Sequence, residues 1–257
     1  MNFRLPHMPE RPAQPRENGL TMVMDKGLSL REAEDLCDIS APYCDLLKLG
    51  FGTSIITKRL HEKIKLYQSA GLRPYFGGTL FEAFAVRDMF DDYRRFLDEY
   101  GMEVVEVSDG VMELDHGKKC EYISNLSKDF TVVSEVGSKL KGKEISNEQW
   151  ISYMKTELSA GAWKVIAEAR ESGNMGIYND DGSANFELIL DIKKAVDPNV
   201  ILWEAPLKNQ QVWFIKLLGP NVNLGNIATN EIIPLETLRL GLRGDTLLTF
   251  LPCNHSR

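Results

Sequence analysis

A single (β/α)8 barrel of the TIM type is the fold this sequence predicts, and three observations point to it. From residue 20 onward, short apolar or β-branched runs alternate with longer amphipathic stretches, the pattern of parallel strands joined by crossover helices. Eight such runs occur, and their ends fall 20 to 36 residues apart, bracketing the roughly 30 residues of one βα unit. No GxGxxG or GxxxxGKS/T turn is found, whereas an open nucleotide-binding sheet often carries one after its first strand. The 257-residue length also suits one such barrel, typically about 250 residues.

The first strand is expected at Leu20–Met24. A helix over Ser29–Ile39 follows, with Ser29 as N-cap and Glu32 completing a capping box. Further strands are expected at Asp45–Leu49, Leu72–Phe76, Glu103–Val107, Thr131–Val136, Lys164–Glu168, Asn199–Trp203 and Val222–Leu224. Helices are expected at Lys58–Ala70, Phe81–Tyr100, Asn147–Ala160, Ala184–Val196 and Leu207–Leu218, and Leu30, Leu36, Ile64, Phe84, Phe96, Trp150, Ile189 and Leu238 fall at helical spacing as core. Residues 1–19, with Pro6, Pro9, Pro12 and Pro15, read as a loosely ordered leader. The catalytic barrel spans 20–250 and a short tail 251–257.

Composition narrows the partners. The chain is 43% hydrophobic and 26% charged with a formal net charge of −7, ordinary for a soluble globular protein. A negative total argues against phosphate-backbone and anionic-membrane binding. No apolar run approaches the roughly 18 residues of a membrane span. Cys37, Cys44, Cys120 and Cys253 show no metal-ligand spacing and read as thiols without disulfide or zinc. Without a secretory apolar segment, the expectation is a cytoplasmic protein acting on small molecules, with homo-oligomerisation left open.

Active sites of such barrels lie at the C-terminal strand ends, so polar residues that interrupt an apolar run as it finishes carry the information. In order these are Asp25 with Lys26, Lys48, Gly77-Gly78-Thr79, Glu106 with Asp109, Glu135 with Lys139, Glu168 with Arg170, Glu204 with Lys208, and Asn223 with Asn226. One carboxylate after a strand is more often a cap or loop ion-pair partner. Glu106, Glu135, Glu168 and Glu204 converging on one mouth would repel unless cations compensate them. An all-oxygen set suits magnesium, or manganese, over zinc. Lys48 and Lys139 read equally as counter-ions or as proton donors. His7, His61, His116 and His255 fall away from the strand ends, so histidine catalysis is not expected. Arg170, Ser172, Asn223, Asn226 and Arg243 are the candidates for anion binding, in loops where backbone amides can help.

The runs LTMVMDKGL (20–28), KLGFGTS (48–54), GGTLFE (77–82), VEVSDG (105–110), SEVGSK (134–139), EARESG (168–173), WEAPLKNQQVWFI (203–215), NVNLGNI (221–227) and LETLRLGLRGDT (235–246) resemble, in order, the phosphosulfolactate synthase family. The resemblance covers about residues 16 to 250. It implies a (β/α)8 barrel of the carbon–sulfur lyase class that adds sulfite to phosphoenolpyruvate with magnesium, giving (2R)-phospho-3-sulfolactate. In archaea that product opens coenzyme M synthesis, and a plant branch of the family is linked to heat acclimation. The resemblance also points to Lys139 in SEVGSK as the acid that protonates C2, while Ser138 stands where the family often has a second lysine. The chemistry agrees with the residues: attack at C3 pushes electrons toward the carboxylate, a charge that cations must stabilise. Two other readings remain at this point, a Schiff-base aldolase using Lys48 and a stress-related family member without turnover.

Overall fold

Eight parallel strands alternate with helices in the computed structural model, which describes residues 2–137 and 145–252. The strands are β1 (Thr21–Asp25), β2 (Leu46–Leu49), β3 (Arg73–Phe76), β4 (Val104–Val107), β5 (Thr131–Val136), β6 (Lys164–Ala167), β7 (Ile201–Glu204) and β8 (Leu224–Ala228). The helices are α1 (Leu30–Ser40), α2 (Leu60–Ser69), α3 (Gly78–Ala85), α4 (Phe90–Glu99), α5 (His116–Leu126), α6 (Asn147–Ser159), α7 (Phe186–Ala195), α8 (Lys208–Leu218) and α9 (Ile232–Arg239). The sheet runs β3-β2-β1-β8-β7-β6-β5-β4, so the expected TIM barrel is present. At its one seam β3 and β4 stand side by side without a ladder. The Gly78 amide bridges that seam, donating to Glu106 Oε1 at 2.6 Å.

Alternation along each strand decides what faces the barrel axis. Met22, Leu46, Tyr75, Val104, Val133, Ile166 and Leu202 form one buried cluster inside the barrel. Their neighbours Val23, Leu47, Phe76, Val105, Val165 and Trp203 pack outward under the helices. In β8 the inner position is Gly225, where a Cβ would lie 2.8 Å from Met22 Cε and closer still to Leu202. Two residues further along each strand, on the same inward face, the sequence places Met24, Lys48, Gly77, Glu106, Glu135, Glu168 and Glu204. A hydrophobic plug thus carries a polar layer directly above it.

The Ser29–Glu32 capping box forms at α1. Of the expected core residues, Leu36, Ile64, Trp150, Ile189 and Leu238 are buried, while Leu30, Phe84 and Phe96 are half-buried. Three elements differ from expectation. The long helix over 81–100 is two, α3 and α4, separated at Asp88, whose φ of 55° leaves the right-handed helical region. His116 does not lie in a plain connection but opens α5, capped by Asp115, which accepts from the Lys118 amide at 3.0 Å. Its weak apolar pattern hid it, because one of its buried residues is Lys119. The strand expected at Val222–Leu224 instead begins at Leu224, since Gly225 and Asn226 read as a turn but continue β8, with Asn226 at φ 60°.

The second half of the leader, from Arg11 to Glu17, is pinned to the barrel. Arg11 donates to Glu236 of α9 at 3.0 Å, to the Gly19 carbonyl at 2.9 Å and to Asn221. Arg16 pairs with Asp45 at 2.8 Å, and Glu17 accepts from the Trp163 indole at 3.0 Å. These contacts cover the end of the barrel opposite the polar layer. There the buried Arg239 of α9 donates to the carbonyls of Pro220, Val222 and Leu20. Burial, and then the nearby charge of Arg11, lower its guanidinium to about 9. Leaving Glu236 without its partner should cost about 3–5 kcal/mol. Arg11→Ala is therefore expected to lower the melting temperature by about 6 °C or more, and an unchanged thermal scan would remove the clasp from any account of stability.

Cys37, Cys44 and Cys120 are free thiols, and Cys253 and most of the expected tail lie outside the described residues. Among the described residues no helix is long and apolar enough to cross a membrane.

Candidate active site

Lys48 rises from β2 into the centre of the polar layer. Its Nζ is 2.9 Å from Glu106 Oε1, 3.5 Å from Glu135 Oε2 and 3.7 Å from Glu204 Oε1. Burial alone would push this ammonium down, but the charges of Glu106, Glu204 and Glu135 outweigh it and hold the group well above the usual lysine range. Lys48 is therefore a fixed cation at neutral pH, with three carboxylates sharing it. Beneath it stands Tyr75, its ladder partner on β3. Burial, then the charges of Glu106 and Glu204, raise the Tyr75 phenol far above its ordinary value.

Two of the carboxylates, those of Glu106 and Glu204, are held from behind by backbone amides. Glu106 accepts from the first amide of α3, where the helix dipole favours an anion. A Cβ on Gly78 would lie 2.7 Å from Glu106 Oε1 and nearer to Ser108, which explains the second glycine of GGT. Glu204 Oε2 accepts from the Ala169 amide at 2.8 Å, and its carbonyl accepts from the Tyr178 hydroxyl at 2.7 Å. The Glu135 carbonyl accepts from Lys119 at 2.5 Å. Glu168, directly after β6, is fully buried with its carboxylate 2.5 Å from where a Cβ on Gly137 would sit. At φ 145° and with no room for a side chain, Gly137 has to be glycine.

Above this floor opens a cavity of about 400 Å³, within the usual range for small-molecule sites. Lys48, Glu135 and Glu204 line it below, with Arg170, Ser172 and Asn226 around it. Met24, Phe51 and Val111 supply apolar wall. Lys26 and Glu171, on the turns after β1 and β6, pair across the rim.

Sequence reasoning gathered most of this set but misplaced three residues. Asn223 sits at the start of β8, at the far end of the barrel, where its side chain accepts from the Leu20 amide at 3.1 Å and donates to the Asn199 and Ile201 carbonyls. It belongs to the floor of the fold and not to the mouth. Arg243 lies after α9, 3.7 Å from Asp245, which also pairs with Lys208 at 3.1 Å, and it is not part of the cavity lining. Asp25 is spent on its own turn: it accepts from the Gly27 and Leu28 amides, from the Tyr67 hydroxyl at 2.8 Å and from Lys63 at 2.5 Å. Lys139 lies outside the described residues. Tyr75, Tyr178 and Lys119 were missed because an aromatic in a strand or a connection and a lysine on a helix carry no signal of their own.

The donor chemistry fits a hard cation in a limited way. All the donors are oxygens, carboxylates outnumber ammoniums, and Glu106 Oε2 and Asn226 Oδ1 are buried without a hydrogen-bond partner. Yet among the described residues no three His, Cys, Asp or Glu side chains converge as a cage. One or two carboxylates completed by water and substrate oxygens is the ligand set that magnesium ordinarily takes.

Fold and site together define a TIM-barrel enzyme with a lysine–glutamate floor at the C-terminal strand ends. Solved barrels share the architecture at low identity: 3-hexulose-6-phosphate synthase from Salmonella typhimurium has a TM-score of 0.53 at 15% identity, covering 87% of this chain and 100% of that one. The 3-keto-L-gulonate-6-phosphate decarboxylase of Vibrio cholerae also scores 0.53, at 12% identity over 91% and 99%. These likenesses concern the fold alone. In sequence, residues 9–245 match the (2R)-phospho-3-sulfolactate synthase family. The phosphosulfolactate synthase of Bacillus subtilis is 41% identical over 93% of this chain and 96% of its own. That of Methanothermobacter thermautotrophicus is 42% identical over 93% and 95%. The chain belongs to the phosphosulfolactate synthase family.

Proposed function

We propose that this protein adds sulfite to phosphoenolpyruvate in a magnesium-dependent reaction of the carbon–sulfur lyase class, giving (2R)-phospho-3-sulfolactate. The observation that carries the reading is the buried Lys48 ammonium, braced by Glu106, Glu135 and Glu204 under a small cavity, in a chain about two-fifths identical to synthases of that name. The sulfite sulfur lone pair bonds to C3, and the C2–C3 π electrons move into the carboxylate. A proton then arrives at C2 from one face.

Lys48 faces the growing carboxylate charge as a preorganised cation, which is worth more in a water-poor site than in bulk. Arg170, Ser172 and Asn226 line the cavity where the phosphate and sulfite oxygens need donors. Lys139 is the proposed acid at C2. Magnesium, held by oxygens from among Glu106, Glu135, Glu168 and Glu204, supplies further positive charge to the substrate when bound. The Schiff-base reading requires a neutral amine at Lys48, and the same three carboxylates work against one.

Incubating the protein with phosphoenolpyruvate, sulfite and magnesium is expected to yield phosphosulfolactate by mass spectrometry. EDTA should abolish turnover and added magnesium should restore it. Undiminished turnover in excess chelator would exclude the metal, and absence of the product with magnesium present would reject the reaction.

A further inference from the structure

Outside the barrel wall, behind β5, lies a second buried charge cluster that the proposed reaction does not use. Lys119 of α5 sets its ammonium 2.8 Å from Asp109 Oδ1 and 2.9 Å from Glu157 Oε1 of α6. The same ammonium donates to the Glu135 carbonyl at 2.5 Å. Glu157 Oε2 accepts from the Ser134 hydroxyl at 2.5 Å, and His116 Nε2, its ring stacked on Tyr153, lies 3.2 Å from Glu157 Oε1. Lys119, Ser134 and Glu157 are all buried. Burial opposes both charges, but the partners win: Glu157 and Asp109 hold Lys119 above the ordinary lysine range, and Lys119 foremost holds the Glu157 carboxyl below its ordinary value.

The location has a geometric reason. The β4–β5 ladder ends at Val107 and Ser134, so the next carbonyl, that of Glu135, has run past its β4 neighbour. A buried carbonyl left without a donor costs about 1–3 kcal/mol, and Lys119 supplies the donor. Side chains alternate, so Ser134 points outward into this cluster while Glu135 points inward to Lys48, 3.5 Å away. Two consecutive residues of β5 are therefore gripped on opposite faces of the wall.

We infer that Lys119 is a positioning residue, which by holding the Glu135 carbonyl and, through Glu157, the Ser134 hydroxyl fixes where β5 presents the Glu135 carboxylate to Lys48. Its consequence for turnover rests on the proposed function, but the geometric claim does not.

The test compares Lys119→Met with the double variant Lys119→Met/Glu157→Gln, which removes both members of the buried pair and carries the test if the single variant fails to fold. The expected result is a Glu135–Lys48 separation beyond about 4 Å in the variant's crystal structure. With it should come a fall in kcat of about 100-fold per folded molecule, as misplacement by about 1 Å can produce, while KM for phosphoenolpyruvate stays nearly constant. A purely structural role would lower the melting temperature alone. A separation still near 3.5 Å, or a preserved kcat in folded protein, would overturn the inference. Should the unmodified protein make no phosphosulfolactate, the reaction reading fails and the separation alone decides.

Discussion

Replacing Lys48 with Met is expected to leave a protein that is markedly less stable and has no measurable turnover. The substitution keeps the length of the side chain but strips the cation from Glu106, Glu135 and Glu204, which approach it within 3.7 Å. Removing one side of a buried ion pair typically costs about 3–5 kcal/mol, or about 10 °C in melting temperature for a chain of this size. The pH dependence identifies the cause. In the unmodified protein the Lys48 ammonium is held above its unfolded value, so its contribution is complete below the ordinary lysine range and is lost only as pH rises beyond it. The variant lacks that contribution, so its deficit should be full at neutral pH and shrink as pH rises beyond the ordinary lysine range. Melts at several pH values check this, and a deficit equal across that window would mean that packing, not charge, was lost. In the unmodified protein, borohydride with substrate should leave no reduced adduct on Lys48; an adduct there would transfer the site to the Schiff-base class.

Lys139→Ala is expected to lower kcat by about 100-fold to 10000-fold per folded molecule, the range for removing a general acid. The assignment rests on the family's SEVGSK run, in which Lys139 follows Gly137 and the β5 residue Glu135. If Lys139 were only a counter-ion for substrate or metal, its loss would raise KM and leave kcat largely intact. Steady-state kinetics of the variant separate the two roles. A normal kcat would eliminate Lys139 as the acid.

The barrel was readable because strand alternation and βα spacing are local properties. So was the polar layer, because Lys48, Glu106, Glu135 and Glu204 each break an apolar run at the same point of the repeat. What escaped depends on long-range partners. Asn223 and Asn226 look alike in NVNLGNI, yet one faces each end of the barrel, because β8 starts two residues later than its turn-like glycine and asparagines suggest. Asp25 carries the same strand-end signature as the glutamates but turns toward Lys63 and Tyr67 on α2. Tyr67 lies 42 residues further along the chain, beyond any local pattern. Lys119 interrupts the apolar face of α5 and so erased the helix signal that would have drawn attention to it. The proline-rich leader read as loose because its composition is that of a linker; its second half is fixed by single arginines, Arg11 meeting groups more than two hundred residues away and Arg16 meeting Asp45.

That clasp bears on how the molecule reaches and leaves its native state. Arg11 and Glu236 are separated by 225 residues, and Arg239 and Leu20 by 219. Closing so long a loop has an entropic cost that local contacts escape, so these contacts are expected to form late in folding. Interactions that are missing from the folding transition state do not speed folding; they slow unfolding. Arg11 and Arg239 are therefore expected to act chiefly on the lifetime of the closed barrel, and a faster unfolding rate of Arg11→Ala with an unchanged refolding rate would check this.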